Sequence, residues 1–151
     1  MCIRDRDELK DGAKIAIPND PTNGGRALLL LQDLGLLKLA DGTGLVPTVL
    51  DVTENPKKFT FLELDAAQLP RSLPDADASI INTNYALAAG LNPKTDTIAR
   101  EKAESPYANV IVVRRADEHA DWLPTLIEAY HSPEIKTFIE EKYHGSVITA
   151  W

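Results

Sequence analysis

A single arginine, Arg26, follows the turn-forming run PTNGG (residues 21–25) at the start of a strongly apolar segment. Its planar guanidinium can hold a carboxylate by two parallel hydrogen bonds. Thr22 or Asn23 is suited to cap the helix that begins here, and adjacent glycines allow a ligand to approach the backbone closely. Because helix N-termini also attract anions, the stretch predicts a site for a small carboxylate. Taken alone, the motif fits a purely structural role equally well.

Two asparagines stand beside apolar runs that are typical of buried strands. Asn82 ends the run ASIIN (residues 78–82), and Asn109 begins the run NVIVVRR (residues 109–115). Ligands of open α/β sheets bind beyond the carboxyl ends of strands, a rule that suits Asn82 but does not place Asn109. An asparagine amide can donate to a carboxylate and accept from an amine. Each asparagine could instead cap a turn or a helix. Neutral amides and one arginine favour binding without reaction.

Residues that carry out catalysis or bind metals are scarce. His119, His131 and His144 lie among charged residues in the tail, where we expect them to be solvated. The sequence contains no Cys/His pair, no metal-ligand spacing and no serine elbow. It also lacks the Gly-Lys-Ser/Thr end of a phosphate-binding loop, which disfavours a nucleotide as ligand. We therefore expect no enzyme activity, no metal and no cofactor.

The elements that position these residues alternate between strand and helix. The predicted strands are AKIAI, FTFLEL, ASIIN and NVIVVRR, which begin at residues 13, 59, 78 and 109. The predicted helices cover Arg26 to Leu37, a short segment interrupted or bent at Pro70, residues 83–90 and two segments after Asp117. Such alternation indicates an α/β fold built on a mostly parallel sheet.

Composition and charge limit the class of protein. The 151 residues are 44% hydrophobic and 26% charged, which is typical of a globular chain that forms one domain or two small lobes. With 23 Asp and Glu against 16 Lys and Arg, the net charge is -7, which disfavours nucleic acid as a partner. The longest apolar run, residues 27–31, is far shorter than the roughly 20 residues that span a membrane. The opening MCIRDR carries charges where a secretory signal needs an apolar segment.

Five segments in succession carry a resemblance to a known family: PNDPTNGGRALLLLQDLGLLKL, PTVLDVTENPKK, LELDAAQLPRSL, INTNYA and ESPYANVIVV. Together they closely resemble the NlpA-type methionine-binding lipoproteins, which are the extracytoplasmic substrate-binding components of methionine ABC importers. The resemblance runs from about Asp7 to Trp151. It implies a periplasmic-binding-protein-like fold of type II, in which two α/β lobes close on a free amino acid.

The resemblance also implies roles for individual residues. Arg26 should clamp the carboxylate of methionine, with Asn23 beside it. Asn82 and Asn109 should hold the α-amino and carboxylate groups. The implied partners are free methionine and the membrane permease of the importer, and no cofactor is needed. The full-length protein is expected in the cell envelope, attached to the membrane by a lipid anchor.

Members of this family extend further at the N-terminus, with a signal peptide, a lipid-bearing cysteine and much of the first lobe. The resemblance therefore implies a truncated start or hinge at residues 1–12 and a complete α/β lobe at residues 13–107. Residues 108–151 would be the return strand and C-terminal helices of another lobe that is mostly missing. The segment that surrounds the methionine thioether is expected in the missing part.

Two other classes of protein remain open from the sequence. The effector-binding domain of a transcription regulator uses a similar two-lobe fold and would need a DNA-binding module upstream. An α/β enzyme acting on a carboxylate would need an acid, a base or a nucleophile near Arg26, and the sequence offers no convincing one.

Overall fold

In a computed structural model of the chain, residues 9–101 and 106–151 are described. The chain divides into two units, Met1–Glu101 and Lys102–Trp151. The predicted start at residues 1–12 lies mostly outside the described residues, and the predicted lobe boundary at residue 107 stays a prediction. None of the described helices has the length and apolar character needed to cross a membrane.

The first unit contains a short parallel sheet. The strands and α-helices of this unit are, in chain order, β1 (Lys14–Pro18), α1 (Pro21–Asp33), β2 (Lys38–Leu39), β3 (Val52–Glu54), β4 (Thr60–Leu64), β5 (Ala78–Ser79) and α2 (Thr83–Ala88). Strand β1 lies in the centre and pairs in parallel with β4 and with β5. Strands β2 and β3 form a separate antiparallel pair. The predicted α/β fold with a mostly parallel sheet is confirmed.

The sequence of β1 explains why this strand is central. Successive side chains of a strand point to opposite faces, so an apolar run with no polar alternation is buried on both. Ile15 and Ile17 pack with Leu28 and Leu31 in one apolar cluster, whereas Ala16 belongs to a second cluster. Each fully buried aliphatic side chain of this kind contributes roughly 1.5–3 kcal/mol. The first cluster fixes α1 against β1, and the second joins β1 to Ile81 and to Ala86 of α2.

Helix α1 begins at Pro21 rather than at the predicted Arg26, and it ends at Asp33 rather than at Leu37. The residue that caps it is Asp20, whose carboxylate accepts a hydrogen bond of 2.9 Å from the backbone N–H of Asn23. The prediction of Thr22 or Asn23 as the cap is therefore wrong. Aspartate is among the strongest N-cap residues, and proline suits the first helical position because no intrahelical hydrogen bond needs its missing N–H.

The glycine pair at the start of α1 packs against the chain's own backbone, whereas the approach of a ligand to it stays a prediction. A Cβ atom on Gly24 would lie 2.7 Å from the carbonyl oxygen of Pro18. A Cβ atom on Gly25 would lie 2.8 Å from the Cα atom of Val46. Both distances are shorter than van der Waals contact, and in both cases the obstacle is backbone. The glycines let α1 lie directly against its own neighbouring segments.

This packing predicts that Gly25→Ala destabilises the fold. Helix propensity alone would make the substitution stabilising by about 0.5–1 kcal/mol, since Gly25 lies within α1. The clash with the backbone near Val46 should outweigh this gain and lower the free energy of unfolding by about 1–3 kcal/mol. Urea denaturation measures the difference. An alanine variant that is as stable as the parent would show that the contact is looser than the structure indicates.

Two further elements are shorter than predicted. The predicted strand at residues 78–82 is regular only over Ala78–Ser79, although the chain stays buried as far as Ile81. The predicted helix around Pro70 is a single 3-10 turn at Leu69–Ser72, and Pro70 is its second residue. Helix α2 matches the predicted segment and is followed by Gly90 at φ 76, the backbone conformation that ends many helices.

The second unit contains the two predicted tail helices, α3 (Trp122–Tyr130) and α4 (Pro133–Tyr143). The predicted strand at residues 109–115 is wrong, since no strand occurs there and Val110 and Val112 are 77% and 83% exposed. An apolar, β-branched run becomes a strand only when a neighbouring strand pairs with its backbone and a layer covers its side chains. Among the described residues of the second unit none is buried.

Large apolar side chains are therefore on the surface of this unit. Those that are at least about one third exposed include Ile111, Trp122, Leu126, Ile127, Tyr130, Phe138, Ile148 and Trp151. Trp122 and Trp151 are about half exposed, and the ring of Trp151 stacks on His131 with the ring centroids 4.8 Å apart. All three histidines are exposed, as predicted.

Candidate ligand-binding site

Three of the four predicted site residues lie in the first unit, on two neighbouring elements. Asn23 and Arg26 are three residues apart in α1, a spacing that places both on the same face of a helix. Asn82 occupies the N-cap position of α2, just beyond β5, but its side chain makes no capping hydrogen bond. The possibility that the Asn82 amide serves as a helix cap is thus excluded by the geometry.

The amide of Asn82 is joined to α1 by a hydrogen bond between side chains. Its Nδ2 group donates to Oδ1 of Asn23 at 2.7 Å. The Nδ2 group of Asn23 donates in turn to the two carboxylate oxygens of Asp20, at 3.1 and 3.0 Å. Asp20, Asn23 and Asn82 therefore form a continuous chain of hydrogen bonds, which we call the amide relay. It connects the first turn of α1 to the N-cap residue of α2.

The far end of the amide relay is a buried acceptor. Oδ1 of Asn82 is inaccessible to solvent and has no hydrogen-bond partner among the residues that the structure describes. Leaving such an oxygen unpaired costs about 1–3 kcal/mol, and native proteins contain few of them. A ligand that brings an N–H or O–H donor to Oδ1 of Asn82 would supply the missing hydrogen bond.

Arg26 already holds a carboxylate, but it is one from the chain itself. Its Nε donates to Oε1 of Glu101 at 2.7 Å, and its Nη2 donates to Oε2 of the same side chain. The side chains of Arg26 and Glu101 are 33% and 23% exposed, so the ion pair is partly screened by solvent. Arg26 is thus oriented for carboxylate recognition by a side chain 75 positions away.

The start of α1 also holds an anion from the chain, the carboxylate of Asp20. Burial raises the pKa of Asp20, but hydrogen bonds from the backbone and side chain of Asn23 and from the backbone of Thr22 outweigh it and hold the pKa below the usual value. Asp20 is therefore ionised at neutral pH and can only accept hydrogen bonds. The carboxylate of Asp20 occupies the N-cap position of α1. A ligand carboxylate near this helix start stays a prediction.

The comparison with known proteins identifies the family. The model of the NlpA lipoprotein family matches residues 2–151. The chain belongs to the NlpA lipoprotein family. This result confirms the resemblance seen in the sequence.

Relatives within the NlpA family are similar over nearly the whole of this chain. A probable D-methionine-binding lipoprotein MetQ of Vibrio cholerae is 52% identical over 149 residues, which are 99% of this chain and 55% of the relative. The D-methionine-binding lipoprotein MetQ of Escherichia coli K12 is 50% identical over 151 residues, which are 99% of this chain and 56% of the relative. The chain spans about half the length of these curated relatives.

Solved structures agree with this assignment. A nutrient binding protein from Burkholderia cenocepacia bound to methionine superposes with a TM-score of 0.92 at 51% identity, covering 99% of this chain and 65% of the other. A periplasmic substrate-binding protein of an ABC transporter from Coxiella burnetii gives 0.90 at 44% identity, covering 99% and 64%. The predicted fold, a lobe like those of periplasmic binding proteins, is confirmed.

The remaining predicted site residue, Asn109, lies in the second unit of this NlpA-family chain. Its side chain is exposed, and its assignment to the ligand site stays a prediction. Ser105, which belongs to the same segment ESPYANVIVV, lies outside the described residues. Within residues 9–101 and 106–151, no group of three or more His, Cys, Asp or Glu side chains is placed to hold a metal ion.

The first unit also has a shallow cleft beside the start of α1. It has a volume of about 130 Å³ and is lined mainly by apolar and backbone atoms of Ile17, Pro18, Gly24, Gly25, Leu28, Pro47 and Val49. Asp20 and Glu63 are its charged neighbours, and none of the four predicted site residues lines it. We place the candidate site at Asn82 and Arg26 instead, because an unpaired buried acceptor and an oriented guanidinium are suited to an amino acid and this cleft offers neither.

Two residues of the site were missed in the sequence. Asp20 had a recognisable signal, since aspartate directly before proline is a common start of a helix. Glu101 had none, because only the folded chain brings it to Arg26. Both are carboxylates that orient a predicted site residue.

Proposed function

We propose that the protein containing this chain is an extracytoplasmic substrate-binding protein that captures methionine and delivers it to an ABC importer. Its relatives include lipoproteins named for D-methionine binding, and one structural neighbour holds methionine. The single observation that carries the proposal for this chain is the buried, unpaired Oδ1 of Asn82. It lies one hydrogen bond from Asn23, which shares a helix face with Arg26.

In this proposal the two charged groups of the amino acid are recognised separately. The α-amino group donates a hydrogen bond to Oδ1 of Asn82. This bond removes the free-energy penalty of leaving that buried oxygen unpaired. The α-carboxylate contacts the guanidinium of Arg26, whose orientation is fixed by Glu101. Asn23 acts by supporting Asn82, and Asn109 adds a further amide contact to the ligand. Methionine, a zwitterion, brings no net charge to the ion pair of Arg26 and Glu101.

The cellular role follows the same proposal. The protein acts at the cell envelope, held to the membrane by a lipid anchor in its full-length form, and passes methionine to the membrane permease of the importer. Its similarity to substrate-binding proteins supports a function without catalysis. No nucleic acid takes part, in agreement with the net charge of -7.

Asn82→Ala tests the amino-group contact. In a protein that carries this sequence at the length of its relatives, the loss of one hydrogen bond to a charged ligand group should cost about 1–3 kcal/mol. The affinity for methionine should fall by about fivefold to a hundredfold. Calorimetric titration measures the change.

The matched control is Asn84→Ala, because Asn84 lies in the same helix and is exposed. It should bind methionine like the parent. Asn109→Ala should lose more affinity than Asn84→Ala if Asn109 contacts the ligand. Equal binding by the Asn82 variant and the parent would remove Asn82 from the site.

A further inference from the structure

We propose that Asp20 determines which end of the Asn82 amide faces the ligand, acting through Asn23, and thereby makes the site selective for a ligand with an amino group. Asp20 is a positioning residue in this account and has no contact with the ligand. The inference rests on the proposed function, since it concerns the amino group of the same bound amino acid.

The shape of an asparagine side chain does not determine its orientation. Its oxygen and its NH2 group are almost the same size, so packing alone does not decide which of them points in a given direction. Only hydrogen-bond partners decide it. Asn82 has such a partner at one end of its amide, the Oδ1 atom of Asn23, and its own Oδ1 lies at the other end.

Each step of the amide relay dictates the next. An ionised carboxylate can only accept, so Asn23 must turn its Nδ2 towards Asp20, as it does at 3.1 and 3.0 Å. Oδ1 of Asn23 is then the atom presented to α2. Asn82 must turn its Nδ2 towards that oxygen, at 2.7 Å, and its own Oδ1 points away from the relay. The polarity of Asn82 is thus set by a carboxylate that is two side chains away.

Asp20 is well suited to start the relay because its own position and charge are fixed. Its carboxylate caps α1 through the backbone N–H of Asn23, and the hydrogen bonds from Asn23 and Thr22 that lower its pKa keep it ionised. The same Asn23 residue therefore binds Asp20 through both its backbone and its side chain. Helix capping and ligand selectivity depend on one carboxylate.

The consequence is selectivity for a donor. With Oδ1 directed to the ligand, an α-amino group is accepted and a carboxylic acid that lacks it leaves the buried oxygen unpaired. With the amide reversed, the Nδ2 group would face the ammonium and repel it. A site that hydrogen-bonds a ligand group rejects analogues that lack the group much more strongly than an apolar pocket does.

The test uses Asp20→Asn in a protein of the relatives' length. Asparagine has the same shape and is also a good N-cap, so α1 should be retained. It can donate as well as accept, so it no longer dictates the orientation of Asn23. The probes are L-methionine and 4-(methylthio)butanoate, which is methionine without its amino group. The ratio of their affinities, measured by calorimetry, should fall at least tenfold in the variant.

Asp51→Asn is the matched control. Asp51 also accepts hydrogen bonds at the start of a helical turn, from the backbone and side chain of Thr48, and has no link to Asn82. The ratio should be that of the parent in this variant. An unchanged ratio in a folded Asp20→Asn protein would overturn the inference and leave the proposed function intact. A parent that shows no preference for methionine over its analogue would overturn both.

A second measurement needs no variant. Scalar coupling across hydrogen bonds in the parent protein identifies which nitrogen donates between the two asparagines. We expect coupling from Nδ2 of Asn82 to the side-chain carbonyl of Asn23. Coupling in the opposite direction would overturn the inference, whether or not the Asp20 variant folds.

Discussion

Replacing Arg26 by alanine is expected to weaken methionine binding more than any other single substitution, by more than about tenfold. Truncating one partner of a desolvated, hydrogen-bonded charge pair typically costs about 2–5 kcal/mol. The side chain of Arg26 is one third exposed, so the lower part of that range applies unless the ligand covers it. Calorimetric titration of a protein with the relatives' length measures the loss.

The ion pair with Glu101 provides the internal controls for this experiment. Arg26→Ala leaves the Glu101 carboxylate without the guanidinium that holds it, which changes stability as well as binding. The double variant Arg26→Ala, Glu101→Gln removes that extra charge. We expect it to recover stability but not affinity, because the ligand carboxylate still lacks its partner. Recovery of affinity would show that Arg26 acts only through Glu101.

Two single variants sharpen the result. Arg26→Lys keeps the charge but loses the planar fork, so it should retain only part of the affinity. Arg71→Ala removes an exposed arginine of the same unit and should bind like the parent. Unchanged affinity in Arg26→Ala would exclude Arg26 from the site.

The second large effect concerns the length of the chain. We expect the 151-residue chain by itself to bind methionine about tenfold to a thousandfold more weakly than the same sequence extended to the length of its relatives. The family resemblance implies that the segment surrounding the thioether lies in the part that relatives have in addition. Burying a methionine side chain contributes about 1.5–3 kcal/mol, and contacts between sulfur and aromatic rings add about 0.3–1.5 kcal/mol.

The surface of the second unit supports this expectation. Trp122, Tyr130 and Phe138 are each about half exposed, and Val110 and Val112 are exposed further still. Exposed apolar side chains of this size favour association, so the 151-residue chain should form assemblies or bind hydrophobic dyes. Tryptophan fluorescence during a methionine titration and light scattering measure both properties. A monomer with low-micromolar affinity would contradict the expectation.

The central sheet could be predicted because its signal is local. The run AKIAI has no polar alternation, so β1 had to be buried on both faces, and the structure places it between two apolar clusters. The run NVIVVRR is also largely apolar and rich in β-branched residues but forms no strand in the described chain. Composition records the preference of a segment, whereas a strand also needs a neighbour that composition does not show.

The site was predictable to the extent that its residues stand at the ends of elements. Asn82 was found because it follows a buried strand, and Arg26 because it follows a helix start. The partners that orient them depend on long-range packing. Glu101 is 75 positions from Arg26, and Asn23 is 59 positions from Asn82. The packing of the glycine pair was not predicted, because the sequence cannot show whether the close neighbour of a glycine is a ligand or the chain's own backbone.

We propose that this chain provides the polar half of a methionine site. It is tested most directly by calorimetric titration of L-methionine into a protein with the relatives' length, with Asn82→Ala and Arg26→Ala titrated under the same conditions. The account predicts saturable one-to-one binding with a Kd of about 1 µM or tighter, equivalent to about -8 kcal/mol, and a weaker affinity in both variants. Absence of saturation at about 1 mM methionine, or parental affinity in both variants, would contradict it.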